Sequence, residues 1–249
     1  MKKKLLCVAL TSFVVLFSLC ASPVQAYTAS QIIDSVLDDM NNVNDYSASL
    51  DCEIDLTYVD DMTDGSIQWK RSGTTKKTNL ISGAPYEQIV KSDGTGWNEI
   101  YPSSEETAYY TNAVYKNILH GNYGHDMFFM EDILSDEVWS LDQNTATING
   151  IDCYRLYTAK DDNNYEVWID SNSRTMVIRT KCTDNNDNLM FQFDYTDYSN
   201  VENTAYLPAT IVVKRYYSDS LYSICNYTLS DIDINESISD SIFTIFTPN

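Results

Sequence analysis

The sequence is poor in the residues that form metal sites, hydrolase triads and nucleic-acid interfaces. It holds two histidines and eight glycines, and 16 lysines and arginines face 36 aspartates and glutamates, giving a net charge of −20. A surface this acidic repels nucleic acid and anionic lipid head groups. The chain also lacks a C-x-x-C pair and a Gly-x-Ser-x-Gly elbow. Redox, structural-zinc and serine-hydrolase signatures are therefore missing, and no nucleic-acid partner is expected.

The few candidate metal ligands have the wrong spacing. His120 and His125 lie five residues apart with two glycines between them, whereas a helical metal pair needs i,i+4 spacing. The acidic run at residues 184–188 resembles the start of a calcium loop, but Leu189 replaces the required glycine and Tyr195 the required glutamate. The sequence therefore predicts a polar loop and a hairpin turn at these two places, with no metal and no cofactor.

Long apolar runs are equally scarce. The single clear run, residues 5–19, follows three lysines and precedes Val-Gln-Ala at 24–26, which is typical of a cleaved signal peptide. This pattern predicts a signal peptide over 1–26 and one mature domain over 27–249, exported to a periplasmic or extracellular space. Removal of the signal makes the net charge −23. A lipid anchor on Cys20 is the alternative, although the bulky leucine before that cysteine fits lipoprotein processing poorly.

Cysteine is scarce in the mature chain too. Export permits two disulfides in any of three pairings, but every cysteine also sits in a strand-like run, where a buried free thiol behaves as a small hydrophobe. Both readings stay open for the four cysteines, Cys52, Cys153, Cys182 and Cys225.

The mature chain opens with a helical pattern and then changes to a strand pattern. Ser30 is a suitable cap, and apolar residues recur at three-to-four spacing over 32–40, which predicts an amphipathic helix. Apolar and polar residues alternate over 47–58, which predicts a long half-buried strand, followed by a turn at 60–65.

The rest of the chain reads as a meander of strands. Short connections between strands require antiparallel pairing. The pattern predicts a mainly antiparallel β fold, an incomplete and strongly curved β-barrel with covering α-helices. The predicted elements are a second strand with Ile67 and Trp69 on one face, a hairpin at 86–91 and 96–101, a long loop with some strand at 102–123, a short helix at 126–136, and strands at 137–142, 145–149, 151–158, 165–170, 175–183, 189–198, 208–216 and 221–232.

In this order of elements the chain resembles the outer-membrane lipoprotein-sorting superfamily, the LolA-type carriers and their relatives. The resemblance spans nearly the whole mature chain, and its motifs are structural rather than catalytic. The matching segments are residues 32–40, 46–58, 92–102, 166–170, 175–182, 194–198, 207–211 and 234–243.

The resemblance implies an incomplete barrel whose concave face receives acyl chains under a helical lid. Its ligand would be a lipid or an acylated protein, with a membrane-bound partner as a further expectation. Family members hold the lid with an arginine from the sheet, for which Arg155, Arg179 and Arg215 are candidates here. One periodic face of the strands would line the cavity, and the predicted ligand-binding residues are Leu50, Ile54, Leu56, Ile67, Trp69, Ile89, Trp97, Met176, Ile178, Phe191 and Phe193.

Two other functions compete with a carrier that is not an enzyme. An exported sensor module of the same fold would bind a regulatory protein partner. A sugar hydrolase would use paired carboxylates, although 36 acids make close pairs uninformative. Co-purified lipid favours the carrier, a retained membrane regulator favours the sensor, and hydrolysis sensitive to one carboxylate favours the enzyme.

Overall fold

The computed structural model describes residues 27–56, 59–71, 74–81, 84–91, 97–101, 106–110, 134–135, 138–142, 144–160 and 162–243. For residues 54–64 and for the strands between residues 74 and 110, only the backbone is described. Among these residues, no helix has the length and apolar character required to cross a membrane.

The first element of the described residues is an amphipathic helix, α1 (Ala29–Met40). Its cap is Thr28 and not the predicted Ser30: the Gln31 N–H donates to Thr28 Oγ1 at 3.2 Å, and the Thr28 N–H donates to Gln31 Oε1 at 3.0 Å. This reciprocal capping box satisfies two backbone donors that the first turn would leave open, which Ser30 could not do from inside the helix. The predicted apolar face is confirmed, with Ile32, Val36 and Met40 buried.

In the part of the chain that the structure describes, fourteen strands pair into one antiparallel sheet. Most of the predicted strands are confirmed, with shifts of a few residues at their ends. The strands are β1 (Asp45–Leu56), β2 (Val59–Lys70), β3 (Thr74–Ile81), β4 (Ala84–Lys91), β5 (Trp97–Tyr101), β6 (Glu106–Tyr110), β7 (Ser140–Leu141), β8 (Ala146–Ile148), β9 (Ile151–Lys160), β10 (Asn163–Asp170), β11 (Val177–Asp184), β12 (Leu189–Val201), β13 (Ala205–Tyr217) and β14 (Ser220–Ile234).

Two meanders meet in the middle of this sheet. The strand order is β6-β5-β4-β3-β2-β1-β14-β13-β12-β11-β10-β9-β7, and β8 also pairs with β9. The central pair joins the first and last strands, with Tyr46 opposite Ile234 and Leu56 opposite Ser223. The sheet is curled but not closed, since β6 and β7 stand at the two ends of its path. The prediction of an incomplete, strongly curved antiparallel barrel is confirmed.

Two local predictions were wrong. Residues 60–65 form part of β2 and not a turn, because β1 ends at Leu56 and β2 starts at Val59, directly opposite it. Pairing with β1 satisfies the backbone N–H and C=O groups of this segment, although three of its six residues are aspartates. Strand β3 was missed because its residues are polar, including two adjacent lysines, until the last two positions, so its sequence shows no apolar alternation.

Two further predictions fall partly outside the described residues. Within 126–136 only Leu134 and Ser135 are described, and both are helical. The predicted loop at 102–123 contains β6, and its remaining part lies outside the described residues. A 3-10 helix, Asp240–Phe243, ends the described chain and buries Phe243.

Candidate functional site

Helix α1 packs on one face of the sheet, called here the inner face. The inner face is defined by the alternate residues that share a hydrophobic cluster with the helix. On β12 these are Phe191, Phe193 and Tyr195. Phe193 and Tyr195 pair with Val213 and Ile211 of the neighbouring strand β13. Because alternate strand residues point to opposite sides, the remaining residues of these strands form the outer face.

Five of the predicted ligand-binding residues come together on the inner face. Each is buried in the same cluster as α1, with exposures between 1 and 6 %: Leu50, Ile67, Trp69, Phe191 and Phe193. For four other nominated residues only the backbone is described: Ile54, Leu56, Ile89 and Trp97. The backbone register pairs Trp97 with Val90, in the cross-strand row of Trp69, but pairs Ile89 with Asn98 in the alternate row. The prediction that Ile89 shares a lining face with Trp69 and Trp97 was therefore wrong.

Two nominated residues lie on the opposite face. Ile178 is buried against Cys153 and Trp168 in a separate cluster, and Met176 packs on the edge of that cluster. The cause is a bulge, since Trp168 pairs with Arg179 while the next residue, Ile169, pairs with Val177. A bulge exchanges the two faces of a strand. Their prediction as members of the same lining face as Phe191 was therefore wrong.

The described part of the inner face is filled with side chains. A small cleft separates the end of α1 from β12 and β13, and its interior volume is about 10 Å³. This is room for about one water molecule and far too little for an acyl chain. The cleft is lined by Asp39, Met40, Thr175, Val177, Tyr195, Tyr198, Ala205, Tyr206 and Leu207.

Of the three candidate latch arginines, Arg215 is the one on the inner face. It follows Ile211 and Val213 at period two on β13 and lies opposite Ser223 of β14. Its Nη1 is 3.3 Å from Ser223 Oγ and 3.2 Å from Cys225 Sγ. Both partners are almost fully buried, whereas Arg215 is half-buried. A guanidinium therefore lies on the inner face, opposite Phe191 and two residues from the buried Val213.

Arg155 and Arg179 belong to the outer face. Arg155 bonds Glu166 and also Asp142, at 3.2 Å, and its guanidinium lies over the Trp168 ring. Arg179 bonds Asp194. Both arginines therefore brace the side of the sheet away from α1 and cannot latch this helix.

On the outer face, Asp194 lies at the centre of a cluster of polar side chains. Its carboxylate is 8 % exposed and accepts from Arg179, from Lys214 Nζ at 3.2 Å and from Gln192 Nε2 at 2.7 Å. A buried carboxylate is tolerated when several donors surround it in this way. The arrangement cross-links strands β11, β12 and β13.

The cysteine question is resolved in favour of free thiols. Cys52, Cys153, Cys182 and Cys225 are all buried and unbonded to one another. Burial raises the pKa of the Cys153 thiol to about 11 and that of Cys182 to about 12. Because the thiolate is the reactive form, these two side chains are inert at neutral pH.

No cluster of metal-ligating side chains occurs among the described residues. Both histidines lie outside them. The acidic run at 184–188 is a turn, as predicted: the Asp184 carboxylate accepts from the Asn186 N–H at 2.8 Å and from the Asn188 N–H at 2.9 Å. The Asn188 side-chain amide also donates to Asp184 Oδ2, at 2.8 Å. This amide first, and then the backbone donors, hold the pKa of Asp184 below its usual range and stabilise the β11–β12 connection.

One exposed apolar patch was not foreseen from the sequence. It lies at the β13–β14 hairpin tip, where Tyr217 is 78 %, Tyr222 57 % and Leu221 47 % exposed. The nearby Leu189 N–H donates to Asp219 in the tip, which brings the exposed Met190 close. The available signal was the run of large residues around the Ser-Asp-Ser turn with a single charge among them.

The fold is shared with solved structures of low sequence identity. The sequence matches no protein-family model and no curated protein. A DUF1329 family protein from Desulfovibrio piger aligns over 88 % of this chain and 98 % of its own, with a TM-score of 0.65 and 13 % identity. A domain named for outer membrane lipoprotein sorting, from Vibrio parahaemolyticus, aligns over 86 % and 97 %, with a TM-score of 0.63 and 11 % identity.

A LolA superfamily protein from Nitrosomonas europaea gives the same picture, with a TM-score of 0.60, 13 % identity and 88 % and 99 % of the two chains aligned. The chain therefore has the LolA-like fold that its sequence predicted. At these identities the likeness establishes the fold and leaves the ligand to be argued from the residues.

Proposed function

We propose that this chain is an exported protein that binds a hydrophobic ligand, a lipid or the acyl chain of an acylated protein, on the inner face of its sheet. The observation that carries the proposal is the continuous apolar inner face. It extends from Phe191 and Phe193 on β12 through Leu50 on β1 to Ile67 and Trp69 on β2. The solved structure with this fold that is named for lipoprotein sorting supports the same choice.

The ligand lies beside α1 and not beneath it. The cleft at the end of α1 is too small for a chain, so the proposed space is the inner face of strands β2–β6. Leu50, Ile67 and Trp69 form its buried border. The residues proposed to line it further along are Ile54, Leu56 and Trp97, and Trp97 lies in the same cross-strand row as Trp69.

Apolar burial is sufficient to drive such binding. Each buried methylene contributes about 0.8 kcal/mol, so a long chain is retained without a dense set of polar contacts. A lipid or acylated protein would therefore be held mainly by its chain. Export through the signal peptide would place the protein where lipids and lipoproteins move between membranes.

Mass spectrometry of the purified mature protein tests this proposal. Native spectra are expected to show a mass above that of the polypeptide, and organic extraction is expected to release a lipid or an acylated peptide. A polypeptide that stays at its bare mass after expression in an envelope-bearing host, and after incubation with a lipid extract, would contradict it.

The exposed tip at Tyr217, Leu221 and Tyr222 favours a second candidate function, a sensor module that binds a protein partner. Exposed apolar patches of this kind commonly mark interaction sites. A cross-linker placed on the tip is expected to capture one membrane regulator if the sensor role is correct. Catalysis is not part of either proposal, and an absence of hydrolysis across a panel of glycoside and ester substrates is the expected result.

A further inference from the structure

Exposed apolar side chains concentrate at the β13–β14 hairpin tip. Seven large apolar residues are exposed in the described part of the chain, and four of them form this group, called here the tip patch: Met190, Tyr217, Leu221 and Tyr222. Single exposed apolar residues are normal on a protein surface, whereas several together mark an interaction site. The tip patch therefore indicates contact with another molecule.

The strand register gathers these side chains. Opposite Tyr216, β14 has one extra residue, so that Leu221 and Tyr222 occupy the place of one. Such a bulge sets two residues of one strand opposite a single residue of its neighbour. Tyr217 follows on β13 and pairs with Ser220 across the turn. Three large apolar residues therefore lie within one hairpin tip.

A second turn braces this tip. Ser218 and Asp219, the two residues of the β13–β14 turn, have φ angles of 50° and 61°, as in the type I′ turn that closes a tight hairpin. The Asp219 carboxylate accepts from the Leu189 N–H at 2.7 Å, which joins this turn to the β11–β12 connection and to Met190. Because the tip is ordered before binding, a partner that docks there loses less free energy to the ordering of loops.

Acidic residues occupy the two turns at the tip. Residues 183–190 and 216–222 contain three aspartates and no lysine or arginine: Asp184, Asp187 and Asp219. Backbone N–H groups donate to Asp184 and Asp219, while Asp187 is exposed. An apolar surface beside acidic residues is complementary to an apolar surface beside basic ones.

This charge disfavours two other occupants of the tip patch. A second copy of the chain would place the same acidic turns against each other. An anionic bilayer would be repelled by these turns and by the net charge of −20. A basic partner meets neither obstacle.

We propose that the tip patch binds a basic amphipathic segment of a protein partner. Apolar residues of that segment contact Leu221 and its neighbours, and its lysines or arginines lie beside Asp187. The inference rests on the second candidate function and names the chemistry of the partner; it does not depend on a lipid at the inner face. Tyrosine suits such a contact, since its ring offers apolar area and a face for a cation.

Three fluorescently labelled peptides test the inference on the mature protein by anisotropy. The first has about 18 residues of leucine and lysine, with the leucines at helical spacing. The second has the same composition in shuffled order, and the third carries glutamate in place of each lysine. We expect the first peptide to bind saturably, one per chain, about tenfold more tightly than the shuffled peptide. Its affinity is expected to fall as salt is added.

Matched variants locate the contact. Leu221→Ser is expected to weaken the first peptide about tenfold, and Tyr157→Ser, at a position on β9 of nearly equal exposure (46 % against 47 %), is expected to leave it unchanged. Asp187→Asn keeps a residue type that tolerates the positive φ there, and it is expected to reduce the salt dependence. Glu202→Gln, at an exposed position in the β12–β13 turn, is its control. Thermal melts confirm that each variant is folded.

Several results would overturn the inference. These are no binding of the first peptide, equal binding of the shuffled peptide, tighter binding of the glutamate peptide, or full affinity in Leu221→Ser. Neutral phosphatidylcholine vesicles and sedimentation equilibrium of the protein alone address the other occupants. Vesicle binding or dimerisation that Leu221→Ser abolishes would assign the tip patch to a bilayer or to a second copy instead.

Failure of this inference is distinguishable from failure of the proposed functions. If the first peptide binds through the tip patch while mass spectrometry finds no lipid, the inference stands and hydrophobic-ligand binding fails. If the first peptide does not bind, the basic partner is wrong, and cross-linking at the tip still decides whether a protein of other chemistry binds there.

Discussion

The carboxylate of Asp39, near the end of α1, accepts a hydrogen bond from the backbone N–H of Tyr206 on β13, with Oδ2 and N 3.2 Å apart. The bond ties the helix to the sheet beside the small cleft. Partial burial raises the pKa of Asp39, and the bond from Tyr206 lowers it by less. Ionisation of Asp39 therefore destabilises the folded state relative to the unfolded chain.

The raised pKa predicts a pH-dependent effect of Asp39→Asn. The folded state binds the proton more tightly than the unfolded state, so the favourable contribution is present below the ordinary pKa of about 4 and is lost as pH rises through the folded value. Asparagine keeps the acceptor and removes the charge. We expect Asp39→Asn to raise Tm at pH 7 and to leave it unchanged at pH 3. The exposed neighbour Asp38→Asn is the control, and an equal rise in both variants would refute the explanation.

The carboxylate of Asp194 predicts a large loss of stability on truncation. Asp194→Ala leaves Arg179 and Lys214 beside each other without the acid between them. Breaking a fully buried pair costs about 3–5 kcal/mol, and because these cations are partly exposed we expect about 2–3 kcal/mol. Urea unfolding measures the loss. Asp142→Ala, which removes a partly exposed partner of Arg155, is expected to cost below about 1 kcal/mol. Equal costs for the two variants would show that burial of Asp194 does not matter.

The free thiols predict that the mature protein carries no disulfide. The four cysteines are buried. The raised pKa of Cys153, about 11, and of Cys182, about 12, leaves almost no thiolate on these two residues at pH 8. We expect a thiol reagent to label none of them rapidly in the native protein and all four in denaturant. A melting temperature that falls on adding reductant would instead reveal a bridge.

The burial of the inner face predicts that a substitution there costs far more stability than one at an exposed position. Leu50, 2 % exposed, is expected to cost about 2–5 kcal/mol of stability when replaced by alanine. Tyr217→Ser, at the exposed hairpin tip, is expected to change stability by less than about 0.5 kcal/mol. Chemical denaturation of both variants decides this. A small cost at Leu50 would show that the packing around α1 is loose enough to admit a ligand.

Cleavage of the predicted signal peptide would leave Tyr27 as the first residue of the mature chain. Tyr27, the expected first residue of the mature chain, packs edge-on against Tyr154 and beneath Arg174, and Thr28 caps α1. N-terminal sequencing of the exported protein is expected to begin at Tyr27. An acylated Cys20 at the N-terminus would show that the protein is membrane-anchored instead.

Local periodicity was sufficient to predict most elements of this fold. The alternation along β1 correctly predicted the inward position of Leu50, and the spacing of Ile32, Val36 and Met40 correctly predicted the buried stripe of α1. Periodicity fails where pairing overrides side-chain pattern, as in the acidic start of β2 and the lysine-bearing β3. Both segments are held as strands by backbone hydrogen bonds, which side-chain pattern does not report.

The candidate site was less predictable because it depends on distant pairings. The β1–β14 pair joins residues some 170–190 positions apart, with Leu56 opposite Ser223, and no local pattern encodes that register. The bulge after Trp168 moved Ile178 to the outer face, against its simple period-two prediction. The same long-range register places Arg215 on the inner face, which the sequence left as one of three candidates.

Titration of the mature protein with a fluorescent fatty acid tests the central claim most directly. We predict a saturable rise in fluorescence with one site per chain. Trp97→Ala, at a proposed lining position on β5, is expected to weaken binding with little loss of stability, and Tyr157→Ser, at an exposed position on β9, is expected to change neither. A strictly linear, non-saturable signal from wild type would contradict the account and leave a β domain that acts through its outer surfaces.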